Sequence, residues 1–113
     1  VNKYGAVRTF SALCGRQFDS KAEMRRAEEL ALMEKGDLIM DLEYQVKFVL
    51  CAKPRITITV DFKYYDCEKR LKVHEDVKGI LTRDFRTKMA WLEQLHGIQV
   101  ILSGNQDKLW KGY

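Results

Sequence analysis

Residues 56–78 read ITITVDFKYYDCEKRLKVHEDVK, and the reading of this stretch decides the fold. Ile56, Ile58, Val60, Phe62 and Tyr64 fall on one side of an alternating run, with Thr57, Thr59, Asp61, Lys63 and Tyr65 on the other. Period-two alternation rich in β-branched and aromatic residues is the pattern of a strand. Asp66–Lys69 is a polar turn. Leu71–Lys78 then alternates again, Leu71, Val73, Glu75 and Val77 against Lys72, His74, Asp76 and Lys78. The two runs predict an antiparallel hairpin. With Glu68 and Lys69 at the centre of the turn, Asp61 stands opposite Asp76 on one face; a slip of two residues leaves them diagonal neighbours. Two carboxylates so placed, with Cβ atoms about 5 Å apart, repel one another. A hard divalent cation removes the repulsion, and Mg²⁺ takes one or two carboxylates together with water and phosphate oxygens. Lys78, two residues beyond Asp76 on the same face, brings an ammonium suited to stabilising charge on a phosphate or polarising a water beside the ion. The plain alternative is a solvated hairpin face, and on spacing alone that alternative is the stronger.

Working upstream, Tyr44–Cys51 alternates as a strand, and Lys53-Pro54 breaks it from the next one. Asp37–Glu43 reads as an acidic connection. Ser20–Lys35 predicts a helix: Ser20-Lys21-Ala22-Glu23 has the capping-box pattern, and Gly36 is the expected C′ stop. Met24, Ala27, Leu30 and Ala31 form its apolar arc, and Glu23 projects inside that arc. Residues 1–19 predict an arm or small hairpin, Val7–Leu13 returning through Cys14-Gly15 to Phe18. Downstream, Gly79 ends the second hairpin strand. Arg83–His96 predicts a second helix closed by Gly97, with Phe85, Met89, Leu92 and Leu95 as its apolar face and Lys88 projecting within it. Ile98–Leu102 reads as a short buried strand, and 103–113 as a tail whose Trp110 and Tyr113 suit a contact with DNA or a second subunit. A charge pressed between helix and sheet needs a partner. Glu23 has its capping role as an alternative explanation, and Lys88 has a long stem that can carry its charge out of the arc.

The expected fold class is α/β: helix, three antiparallel strands, helix, strand, in a mixed sheet flanked by helices. The 113 residues suit one domain with one core. No apolar run reaches the roughly 18 residues of a membrane span and no charged-then-apolar leader opens the sequence, so a soluble cytoplasmic protein without a membrane partner is expected. Val1 in place of Met suggests a processed or trimmed N-terminus. Cys14, Cys51 and Cys67 are odd in number and match no zinc spacing with His74 or His96, so they read as reduced thiols. The net charge of +4 is unevenly spread: Glu28–Glu43 holds six acidic residues and one basic, Lys53–Lys88 ten basic and six acidic. A basic surface is the footprint of a nucleic-acid partner, though a weak one alone.

Asp61 followed by Asp76-Val77-Lys78 resembles the motif of the PD-(D/E)xK nuclease superfamily, with Val60 where that motif has a loosely kept proline. The order of elements is similar to its restriction-endonuclease-like core. The ordered blocks Lys3-Tyr4-Gly5, Phe18-Asp19-Ser20-Lys21-Ala22-Glu23, Leu42-Glu43-Tyr44-Gln45, Val60-Asp61-Phe62, Asp76-Val77-Lys78-Gly79 and Phe85-Arg86-Thr87-Lys88 resemble small phage-borne proteins of that superfamily. The resemblance covers Lys3 to about Ile101. It implies that Asp61 and Asp76 bind Mg²⁺ or Mn²⁺ with the Val77 carbonyl as a third ligand, that Lys78 is the catalytic lysine, and that Glu23 orients water or helps to bind the metal. Gln45 and Lys88 would line the site, Lys88 reaching toward a phosphate. The second acidic position is Asp where Glu is commoner in the superfamily, a departure the motif allows.

The resemblance thus implies a metal-dependent endonuclease, with hydrolysis of a DNA phosphodiester by in-line attack of water. Lys63, Arg83, Arg86 and Lys88 are then candidates to hold the DNA backbone without reading sequence, although Arg83 and Arg86 read equally well as solvated residues. Small members without a recognition module tend to be structure-specific, as in Holliday-junction resolvases or flap cutters, and often dimeric. The resulting expectation is a homodimeric phage nuclease of recombination or replication, acting on branched DNA in the bacterial cytoplasm. Two other classes compete with it: a non-catalytic DNA-binding or packaging accessory that keeps the nuclease fold, and an interaction module using the acidic Glu28–Glu43 segment.

Overall fold

The computed structural model describes residues 8–104. The chain order is β1 (Thr9–Ser11), β2 (Arg16–Phe18), α1 (Lys21–Lys35), β3 (Ile39–Cys51), β4 (Ile56–Asp66), β5 (Leu71–Lys78), α2 (Arg83–His96) and β6 (Val100–Gly104). The protein is an α/β chain with a two-stranded sheet, β1-β2, and a mixed four-stranded sheet in the order β3-β4-β5-β6. No helix among the described residues is long and apolar enough to cross a membrane. Lys3-Tyr4-Gly5, Trp110 and Tyr113, on which parts of the sequence reading rest, lie outside the described residues.

By its contacts the chain divides into two units, one comprising the described residues up to Leu42 with Tyr64–Lys72, the other Glu43–Lys63 with the described residues from Val73 onward. In the first unit β1 pairs antiparallel with β2, Thr9 opposite Phe18 and Ser11 opposite Arg16, and α1 rests on both strands. The buried hydroxyl of Ser11 donates to Glu28 Oε2 at 2.6 Å and accepts the Cys14 N–H at 3.1 Å, fastening the hairpin turn to the helix. Ser20 caps α1 by accepting the Glu23 N–H at 3.1 Å, leaving one orphan donor fewer at the helix start. Ala27 and Leu30 are buried as the apolar arc requires, and Glu23 is buried with them.

The α1 terminus differs from expectation. Gly36 has φ −87°, and the left-handed residue is Asp37, with φ 61°. A short Asx side chain tolerates that region better than most, so the turn needs no glycine there. The segment read as an acidic connection is the first part of β3. Ile39 is buried and Leu42 half-buried, with Met40 and Asp41 both exposed between them. Asp41 has φ 58°. A left-handed residue there, with two exposed residues in succession, breaks the period-two signal that would have extended the strand.

The connections of Ala52–Arg55 and Cys67–Arg70 are too short for a crossover, so β3, β4 and β5 neighbour one another in antiparallel fashion. Asp66 builds the second turn: its Oδ1 accepts the N–H groups of Glu68 and Lys69 at 3.0 Å, and its carbonyl accepts Arg70 N–H at 2.7 Å. β6 returns parallel to β5 through α2, His74 beside Val100 and Lys78 beside Gly104. Thr82 caps α2, and Gly97 ends it at φ 68°, a value that glycine reaches without cost. In the second unit Leu50, Ile58 and Leu92 form a buried core, with Phe48, Phe85, Met89 and Ile98 against it. Burying Leu92 alone contributes about 2–3 kcal/mol. Ile98 packs on this core before the ladder starts, so β6 begins two residues later than expected and takes in Ser103 and Gly104. Leu95, read as core, is exposed in the last turn of α2.

Candidate active site

The hairpin β4–β5 brings Asp61 and Asp76 together. Asp76 Oδ1 accepts the backbone N–H of Asp61 at 2.9 Å, and Asp61 Oδ2 accepts the backbone N–H of Val77 at 2.9 Å. Each aspartate therefore holds the other strand's main chain, and the two carboxyl groups are neighbours. Asp76 is only 2% exposed, while Asp61 is half-buried. Desolvation disfavours a buried carboxylate. Burial pushes the Asp76 carboxyl up to about 7, the like charge of Asp61 adds to the rise, and Lys78 opposes it. Burial also raises Asp61, against hydrogen bonds from Val77 and Gln45 and the charge of Lys78.

Lys78 is the cation of this group. Its Nζ lies 3.2 Å from Asp76 Oδ2 and 3.8 Å from the ring centroid of Phe85, in the first turn of α2. Its main chain is fixed from the other side. Lys78 is the last rung beside Gly104, where φ is 107° and an added Cβ would stand 2.8 Å from the Lys78 carbonyl oxygen. A residue other than glycine there would move the strand end that carries the lysine.

Gln45, on β3, donates from Nε2 to Asp61 Oδ1 at 3.1 Å. An ionised carboxylate only accepts, so the amide nitrogen is the end that faces it. The backbone of Gln45 sits at φ 52°, a conformation that costs a non-glycine residue on the order of 1–2 kcal/mol. A left-handed residue inside a strand re-aims its side chain, and here that side chain meets Asp61.

The remaining expected site residues are placed as follows. Glu23 is buried on α1 in the first unit. Lys88 lies half-buried on α2 with its Nζ 3.3 Å from Asp84 Oδ2, one turn back on the same helix. Lys63 pairs with Glu43 at 3.7 Å. Arg83 is exposed and Arg86 half-buried. Two features of the site were not read from the sequence. One is the pair of crossed backbone-to-carboxylate bonds. The other is the Phe85 ring under Lys78, because the helical arc of Phe85 marks it only as an apolar core position.

Among the described residues no group of three or more His, Cys, Asp or Glu side chains is placed to hold a metal. The Asp61–Asp76 pair still fits a hard divalent ion. Two adjacent carboxylates with one ammonium beside Asp76 carry surplus negative charge that burial makes costly, and Mg²⁺ asks for no more than one or two carboxylates, filling its shell with water and phosphate oxygens.

Residues 1–102 match the model of a family described as protein of unknown function, DUF1064. The chain belongs to that family. No curated protein and no solved structure matches it.

Proposed function

We propose that this DUF1064 protein is a Mg²⁺- or Mn²⁺-dependent endonuclease that hydrolyses phosphodiester bonds in DNA. One observation carries the reading: two neighbouring aspartates, Asp76 buried and Asp61 half-buried, each accept a backbone N–H from the opposite strand, with a lysine ammonium 3.2 Å from Asp76. Burying two like charges destabilises a sheet unless they serve a cation or a proton, and perturbed carboxylates of this kind concentrate at functional sites. The order α1, β3-β4-β5, α2, β6 also agrees with the restriction-endonuclease-like core that the Asp61…Asp76-Val77-Lys78 pattern resembles.

The Asp61 and Asp76 carboxylates and the Val77 carbonyl would hold the ion. When bound, it supplies Lewis-acid neutralisation of the phosphate charge. Lys78, 3.2 Å from Asp76, donates hydrogen bonds to a phosphate oxygen as negative charge builds there. Gln45 holds Asp61 in one orientation. Lys63, Arg83, Arg86 and Lys88 contact the DNA backbone, contributing affinity that falls with salt rather than sequence preference. The substrate is branched DNA, cut by a homodimer whose two sites address two strands, in phage recombination or replication inside the bacterial cytoplasm.

The test is cleavage of a synthetic four-way junction, a linear duplex and a single strand in Mg²⁺, Mn²⁺ or EDTA, with Asp76→Ala and Lys78→Ala beside the unaltered protein. Junction cleavage that needs metal and is lost in both variants is expected. Cleavage indifferent to EDTA, or preserved in both variants, would sink the mechanism. Binding without cleavage in any metal would instead assign the protein to the DNA-binding accessories.

A further inference from the structure

We infer that Phe85 is a positioning residue for Lys78, its ring face holding the ammonium beside Asp76 without accepting any of its protons. The inference rests on the nuclease reading for its consequence, but not for its geometry. Lys78 Nζ lies 3.8 Å from the ring centroid, well inside the range at which an aromatic face attracts a cation. The ring is itself immobilised. It packs on the Leu50–Ile58–Leu92 core, and its backbone N–H donates to Thr82 Oγ1 at 3.1 Å, which fixes the first turn of α2. On the other side Gly104 abuts the Lys78 carbonyl, so the stem of the lysine starts from a fixed point. A flexible side chain is thus held at its root by β6 and at its tip by α2.

The chemistry explains why a ring suits this place. An ammonium has three N–H donors and no acceptor. Asp76 Oδ2 takes one, at 3.2 Å. A second carboxylate at the position of Phe85 would take another donor and cancel the charge. The ring quadrupole attracts the charge and leaves the remaining donors for a phosphate oxygen. A cation–π contact of this kind corresponds to roughly 3- to 30-fold in rate if it is needed to hold the reactive geometry.

The full-length protein with ¹³C-labelled lysine provides a readout that does not depend on cleavage. The ε-CH₂ protons of Lys78, assigned by their absence in Lys78→Met, should be shifted upfield by the ring, stay so in Phe85→Tyr, and return to the ordinary lysine position in Phe85→Leu. In junction cleavage, Phe85→Leu should lower kcat roughly 3- to 30-fold with KM nearly unchanged, Phe85→Tyr should restore it, and Phe85→Leu should add nothing in a Lys78→Met background. An ordinary Lys78 resonance in the unaltered protein, or an equal loss of kcat with and without Lys78, would overturn the inference. If the protein cleaves no DNA, the nuclease reading fails, while the Lys78 resonance still decides whether the ring holds the ammonium.

Discussion

The second unit contains two lysine–aspartate pairs that are almost superimposable on paper. Lys78 lies 3.2 Å from Asp76, and Lys88 lies 3.3 Å from Asp84; the two lysine side chains are 26% and 28% exposed. The difference is in the acid. Asp76 is 2% exposed and Asp84 78%. Asp84 is an ordinary i,i+4 partner on a helix surface, already solvated before Lys88 reaches it. Asp76 has lost its water, has Asp61 as a neighbour, and has the protein's backbone and one ammonium in place of solvent. Distance alone does not separate the two pairs. The state of the carboxylate does, because only a desolvated carboxylate with a like-charged neighbour has reason to recruit a further cation.

The largest contrast is expected in turnover. Lys78→Met should lower kcat for junction cleavage by about 10²–10³, the loss typical when a preorganised electrostatic donor is removed. Lys88→Met should act through KM, raising it a few-fold in a way that fades as salt is added, as a backbone-phosphate contact does. Steady-state kinetics at two salt concentrations separates the two. A kcat loss of similar size in both variants would erase the distinction drawn between the pairs.

A smaller effect is expected in stability, and its direction follows from the raised Asp76 carboxyl. The group has a value of about 7 in the folded protein against an ordinary 3.8. The folded state therefore binds the proton more tightly than the unfolded chain. Its contribution to stability is fully present below about pH 4 and is lost as the pH rises toward 7. Metal-free protein should lose up to about 1 kcal/mol per pH unit across that window from this group. Asp76→Asn keeps an oxygen for the Asp61 N–H and removes the titration, so it should flatten this part of the curve and be more stable than the parent at pH 7.5. Saturating Mg²⁺ should raise the urea midpoint of the parent at that pH and leave Asp76→Asn unmoved. Urea unfolding at pH 5 and 7.5, with and without Mg²⁺, is the measurement. Parallel curves for the two proteins would mean that Asp76 is ionised without strain.

The same contrast explains which parts of the molecule could be read from the sequence. The bounds of β5 and α2 were legible because their signals are local: alternation from Leu71 to Lys78, and a helix stopped by Gly97. The meeting of Asp61 and Asp76 was legible because a short turn fixes which residues of a hairpin approach each other. The start of β3 was not, since the left-handed Asp41 interrupts the alternation on which a strand is recognised. The crossed bonds between each aspartate and the opposite backbone depend on side-chain rotamers, which leave no mark in spacing. Lys88 looked like a charge trapped on an apolar face. Its four-carbon stem instead carries the charge to Asp84, the alternative that its length allowed. Glu23 gave the same kind of signal from α1, and it is buried. A shorter side chain cannot leave its arc.

The smallest effect tests the outer pair. An exposed aspartate one turn before a lysine on a helix stabilises by about 0.3–0.5 kcal/mol, and less at high salt. Asp84 also stands in the first turn of α2, where a negative charge favours the positive end of the helix dipole. The two contributions separate in a double-mutant cycle of Asp84→Asn and Lys88→Met, followed by urea unfolding. The coupling energy should be no more than about 0.5 kcal/mol and should shrink in 1 M salt, leaving in Asp84→Asn only the loss to the dipole. A coupling several times larger would mean that this pair too is sheltered from water, and that the difference in aspartate exposure does not govern the energetics of the two pairs.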